Sequence, residues 1–120
     1  MIKAKTRRFI RSFQFAAEGI RTALKYEQNI RFHFLAAVVV VAAGLLTGLS
    51  LLEWLVVIGL IGGMMALEMF NSAIERVVDL ATAELHPLAK QAKDMAAGAV
   101  LVFAVASAII GLLIFLPKWF

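Results

Sequence analysis

The chain has 120 residues, 62% of them hydrophobic, a formal net charge of +4 and no cysteine. At a mean hydropathy of +0.91 it carries too little polar surface for a soluble domain of this length. The lack of thiols excludes a disulfide framework, a thiolate nucleophile and a cysteine metal site. Its apolar residues fall in blocks, so lipid is the solvent expected for much of the chain.

The first element is an amphipathic helix over residues 5–26. Phe9, Phe13, Ala16, Ala17, Ile20 and Leu24 recur at spacings of three and four, while Arg7, Arg8, Arg11, Glu18, Arg21 and Lys25 take much of the remaining circumference. Such a helix lies in a membrane interface, and its basic residues interleaved with phenylalanines suit an anionic lipid surface better than nucleic acid. A cleavable signal peptide is not expected, because the first apolar block begins only near Phe32.

Three apolar blocks follow, and each has the ~20 residues that a ~30 Å hydrocarbon core requires. The first spans 32–50. The second spans 51–83, including a polar extension, and the connection at Gly48, Leu49 and Ser50 is short enough to make the pair an antiparallel hairpin. Trp54 is expected at interfacial depth and Glu53 at the outer interface. Gly44 and Gly48 form a small-xxx-small pair suited to close helix packing. The third block spans 87–116, with Pro87 in the first turn, where its missing N–H costs nothing. Thirty residues at helical rise measure about 45 Å, longer than the hydrocarbon, so the turns carrying Lys90 and Lys93 stand in headgroups or water. Basic residues set the orientation. Eight precede the first span, Arg76, Lys90 and Lys93 lie between the second and third, and Lys118 alone follows the third. The N-terminus and the 75–94 segment are therefore expected to be cytoplasmic.

The stretch most suggestive of chemistry is on the second span. Glu68, Asn71, Glu75 and Asp79 stand at i, i+3, i+7 and i+11, on one helical face. Glu68 follows a long uncharged run and belongs inside the membrane boundary, with Glu75 about 10 Å nearer its edge. A carboxylate at that depth costs roughly 2.5–3.5 kcal/mol. Interhelical hydrogen bonding is the bland explanation for one such residue. Four in register, ending at a polar surface, argue for a site. Phosphoryl transfer needs a divalent metal, cations on phosphates and a group to take the hydroxyl proton. Glu75 at the water boundary suits Mg²⁺, and Glu68 at hydroxyl depth suits a general base to a lipid alcohol.

Two further features stay open on residues alone. Lys93 and Asp94 at the head of the third span suit a phosphate, a nucleotide or a metal, or equally a charged collar. Glu27 stands at the level of Glu75 and so can share its metal, but by itself it reads as a solvated loop glutamate. His33 and His86 lack the i, i+4 partner of a helical zinc pair. There is no G-x-x-x-x-G-K-[ST] loop and no protein-kinase H-R-D or D-F-G set. Three spans enclose too little space for a site, so an oligomer with sites between protomers is expected.

Glu68-x-x-Asn71-Ser72-Ala73-Ile74-Glu75-x-x-Val78-Asp79, followed by Ala92-Lys93-Asp94-Met95-Ala96-Ala97-Gly98, resembles the bacterial diacylglycerol kinase family of integral membrane kinases, over roughly Phe9 to Pro117. Ile30-Arg31-Phe32-His33, Glu53-Trp54, Ile61-Gly62-Gly63-Met64 and His86-Pro87-Leu88-Ala89-Lys90 are closer to its Gram-positive branch of undecaprenol kinases. The resemblance implies an all-α membrane homotrimer, each chain with three transmembrane helices and a surface helix, using Mg²⁺ and ATP in the cell membrane. Undecaprenol is the implied acceptor, with diacylglycerol the alternative. By position, Glu68 matches the catalytic base and Asn71 its polar neighbour, while Glu27 and Glu75 match metal ligands. Glu84, His86, Lys93 and Asp94 match nucleotide-contacting positions, as do Arg8 and Phe15 less closely. Gly19, Arg21 and Arg31 sit where the surface helix and first span meet lipid substrate, and Asp79 is expected to brace the end of its helix. Ser72 departs from the Thr usual in this branch, and Glu18 from a common basic residue. A four-helix drug exporter and a structural subunit remain the rival classes. The exporter needs a fourth span, and a structural subunit gives Glu75, Asp79 and Asp94 no reason to converge.

Overall fold

A computed structural model describes residues 1–120. The chain is entirely helical: α1 (Ile2–Tyr26), α2 (Gln28–Thr47), α3 (Leu51–Ala81) and α4 (Pro87–Trp119). The last three are long and apolar enough to cross a membrane. α3 is the central element, packed against both α4 and α2, while α1 has the fewest contacts with the rest. Overall extents of 51 × 47 × 22 Å fit an antiparallel bundle with one helix projecting sideways. Every residue from Met1 to Thr22 is exposed, so nothing in the chain covers the apolar face of α1. Phe9 and Phe13 meet edge to face there, with ring centroids 5.1 Å apart.

The elbow between α1 and α2 is tighter than a loop. Only Glu27 interrupts the helices, in extended conformation at φ −107°. α2 therefore starts four residues before the apolar block. Two interactions hold the bend: Ile30 is buried to 1% exposure, and Arg31 Nη1 donates to the carbonyls of Leu24 at 3.1 Å and Lys25 at 2.7 Å. Those carbonyls end α1 without helical partners, so a cation there answers both hydrogen bonding and helix dipole.

At the hairpin end, α2 stops at Thr47 because Gly48 takes φ +82°, a conformation costly for residues with a Cβ. Gly48 thus serves the turn, and a Cβ added to it would meet nothing within 4 Å. This corrects the expectation that it packs helices. Gly44 alone does so: a Cβ there would lie 2.8 Å from the Trp54 ring and 3.0 Å from Leu49 Cδ1. Ser50 starts α3 with a capping box, its side chain accepting from the Glu53 N–H while Glu53 Oε1 accepts from the Ser50 N–H. Glu53 also pairs with Lys118 at 3.1 Å, and the Trp119 indole donates to Thr47 Oγ1 at 2.9 Å. These contacts dock the last turn of α4, which runs through Pro117 to Trp119, beyond the expected stop at 116.

Only eight of 120 residues are buried, so the apolar flanks of the bundle are left to lipid or to other copies of the chain. Gly44→Ala should destabilise the α2–α3 contact by about 1–3 kcal/mol, the usual cost of overpacking. Denaturation in mixed micelles reads this, and an unchanged midpoint would show that Trp54 yields freely.

Candidate active site

From Trp54 to Leu67 α3 carries no charge, and the first ionisable group it then presents is the most buried one in the chain. Glu68 is 4% exposed. Its Oε1 lies 3.0 Å from His33 Nε2 on α2, and the imidazole side chain is 24% exposed. One turn on, Asn71 Nδ2 donates to Glu75 Oε1 at 3.4 Å, while Asn71 Oδ1 is buried with no partner. Ser72 is buried beside them. Arg76, the residue after Glu75, reaches the elbow and pairs with Glu27 Oε1 at 2.8 Å, which brings Glu27 to α3.

Asp79, one turn beyond Glu75 on the same face, pairs with Lys93 on α4, while Asp94 pairs with Lys90. Both lysines stand before the apolar run that begins at Met95. Hydrogen bonding to Asp79 holds the Lys93 ammonium above its ordinary pKa, and the charges of Asp79 and Glu75 act in the same direction. The hydrogen bond to Asp94, then its charge, does the same for Lys90. A raised lysine value gives a contribution present below the ordinary lysine pKa and lost only as pH rises past the raised one. Both pairs therefore persist across the neutral range.

Between α3 and α4 at this end opens a cleft of about 840 Å³, lined by Asp79, Thr82, Glu84, His86, Lys93 and Asp94 among others. It is within the size range of small-molecule sites. His86 Nδ1 accepts from the Leu88 N–H at 3.1 Å and caps α4, while the Glu84 N–H donates to Thr82 Oγ1. A second cavity, an apolar groove of about 500 Å³, runs along α3 between α2 and α4. Its floor includes Val57, Ile61 and Met64, with His33 at one end and Trp119 at the other. Glu68 lines neither cavity: His33 joins it to the end of the groove, and about 15 Å of α3 separate it from Val78 in the cleft.

The structure gathers Glu84, His86, Lys93 and Asp94 in the cleft, and Glu68, Asn71 and Glu75 in one row on α3. Arg8, Phe15, Gly19 and Arg21 lie exposed on α1 and line neither cavity. The Arg31 guanidinium is engaged with the end of α1. No three acidic or histidine side chains converge as a metal cluster. Glu75, Glu27 and the unpartnered Asn71 Oδ1 offer the oxygen donors that Mg²⁺ favours, and Mg²⁺ needs only one or two carboxylates when substrate phosphates and water complete its shell. Two side chains carry no signal of a site in the sequence: His33 has no partner on its own helix, and Arg76 reads there only as an orienting charge.

Residues 14–115 match the prokaryotic diacylglycerol kinase family. The chain belongs to that family. An undecaprenol kinase of Bacillus subtilis is 57% identical to it over 111 residues, 92% of this chain and 90% of that protein. A Synechocystis diacylglycerol kinase is 40% identical over 88% of this chain and 61% of its own length. An Escherichia coli diacylglycerol kinase is 32% identical over 85% and 84%. As a member of the diacylglycerol kinase family the chain is a lipid kinase, with three helices long and apolar enough to cross a membrane. The exporter and structural-subunit readings fall with that membership.

The elbow supplies a test of this geometry. Arg31→Ala should leave two α1 carbonyls uncapped and cost about 1 kcal/mol. Amide exchange at residues 23–30 would then rise roughly fivefold. Unchanged exchange would contradict the capping role.

Proposed function

We propose that the chain is an ATP- and Mg²⁺-dependent undecaprenol kinase, acting by direct in-line transfer with Glu68 as general base. The observation carrying the mechanism is the burial of Glu68 beside His33, which lines the end of an apolar groove, on the helix whose far end lines a charged cleft. The choice of acceptor rests on the relative 57% identical, named for undecaprenol, against 40% and 32% for those named for diacylglycerol. Diacylglycerol is the second reading.

In this reading ATP lies in the cleft, with Lys93 and His86 towards its phosphates and Glu84 and Asp94 towards the nucleotide. Arg8 and Phe15 belong to the nucleotide side through α1. Glu75 and Glu27 would hold Mg²⁺, which when bound would neutralise charge on the phosphates. Asn71 sits between metal carboxylate and base, and its amide already bonds to Glu75. Arg76 holds Glu27 against α3. The lipid hydroxyl enters from the groove at the depth of Glu68. Glu68 takes its proton as the alkoxide oxygen meets the γ-phosphorus, and ADP departs. Gly19 and Arg21 on α1 and Arg31 at the start of α2 belong to the lipid side. The working unit is a homotrimer in the cell membrane, N-terminus and site on the cytoplasmic side. The charge distribution supports that side, and the nearly uncovered protomer supports assembly.

Purified protein with labelled ATP, Mg²⁺ and either lipid in detergent tests the reading. Phosphorylated undecaprenol is expected to form faster than phosphatidic acid, and no labelled lipid from either acceptor would overturn it. Glu68→Gln should lower kcat at least ~100-fold with ATP binding retained. Glu75→Gln should weaken Mg²⁺-dependent ATP binding at least about tenfold. Wild-type turnover in Glu68→Gln would remove the base assignment.

A further inference from the structure

We propose that His33 is a positioning residue for phosphoryl transfer, its imidazole fixing the rotamer of Glu68 so that the carboxylate's other oxygen faces the acceptor hydroxyl. The inference rests on the reading of Glu68 as general base. Its ground is the 3.0 Å approach of Nε2 to Oε1, made by the only polar side chain that reaches Glu68 in the structure. No hydrogen bond from Asn71, Ser72 or the elbow goes to that carboxylate, and His33 meets it at ion-pair distance outside hydrogen-bond geometry. Asn71 is committed to Glu75, Glu27 to Arg76 and Arg31 to the carbonyls of α1. From α4 nothing titratable competes, because none lies between Asp94 and Lys118.

A buried glutamate without such a partner is poorly suited to its task. Three side-chain torsions separate its oxygens from the backbone, and little water reaches it to offset desolvation. A misplacement of the reacting atoms by about 1 Å can cost about 100-fold in rate. Contact with one oxygen leaves the other to accept the proton, and it sets the direction from which the hydroxyl must come. His33 also lines the end of the apolar groove, so the side chain orienting the base stands beside the path of the lipid. Histidine suits this place because it is rigid beyond two torsions, keeps an N–H to offer when neutral, and leaves an apolar ring face towards hydrocarbon.

The test uses the purified full-length protein with Mg²⁺, labelled ATP and undecaprenol, or diacylglycerol if that is the acceptor used. His33→Ala should lower kcat about 30-fold with the KM for ATP changed less than about twofold. His33→Gln, which offers an N–H at similar reach, should recover activity to within about fivefold of wild type. In a Glu68→Asp background the shortened carboxylate no longer reaches the imidazole. There His33→Ala should cost less than about twofold, the non-additivity expected of residues acting as a unit. Should His33→Ala fail to fold, judged by helicity and size in detergent, His33→Leu replaces it. Wild-type kcat in His33→Ala, no recovery in His33→Gln, or the full loss repeated in Glu68→Asp would each overturn the proposal. An active Glu68→Gln sinks the base reading itself. An inactive Glu68→Gln beside a fully active His33→Ala sinks only the role of His33.

Discussion

The site depends on one carboxylate held where carboxylates are costly. Glu68 is almost without solvent, and the partner that makes its burial tolerable comes from another helix, at 3.0 Å. Roughly 2.5–3.5 kcal/mol is needed to place an unaided acid at such depth, and contact with His33 offsets part of it. α2 must therefore lie alongside α3 at the level of residue 68. The tight hairpin over Gly48 to Ser50, the Trp54 ring against Gly44, and the elbow capped by Arg31 together fix that level.

Around this point the chain sorts polarity along α3. Towards the hairpin lies the apolar groove over Val57, Ile61 and Met64. Towards the other end come Asn71, Glu75, Arg76 and Asp79, each linked to a different partner, and then the charged cleft. A lipid kinase has to bring a hydrocarbon-borne hydroxyl to a water-borne phosphate, and a single long helix crossing both media is an economical way to do so. The open flanks of the protomer leave room for further walls, and the unpartnered Asn71 Oδ1 marks one place where an additional group fits.

Much of this was legible in the chain before folding. Apolar blocks of spanning length, Pro87 opening a helix, the 3-4 spacing of the phenylalanines in α1 and the row from Glu68 to Glu75 all express local periodicity, which the backbone must obey. The family-like motifs pointed to a lipid kinase, and membership bears that out. What escaped was what depends on tertiary contact. His33 was weighed against neighbours on its own helix, yet its partner lies across the hairpin. Glu27 resembled a free loop acid because Arg76, 49 residues away, is brought to it only by folding. Gly48 was grouped with Gly44 by spacing, although one answers a backbone angle and the other a tryptophan ring. The box between Ser50 and Glu53 is visible as S-x-x-E, although Glu53 alone reads as a surface charge.

The central claim of the proposed function is that phosphate passes directly from ATP to the lipid hydroxyl, with Glu68 handling only a proton. ATP made chiral at its γ-phosphorus by oxygen isotopes tests this most directly, through the configuration at phosphorus in the lipid product. Direct in-line transfer predicts inversion. Retention would mean that the phosphate had rested on the protein between two displacements, which would contradict the account.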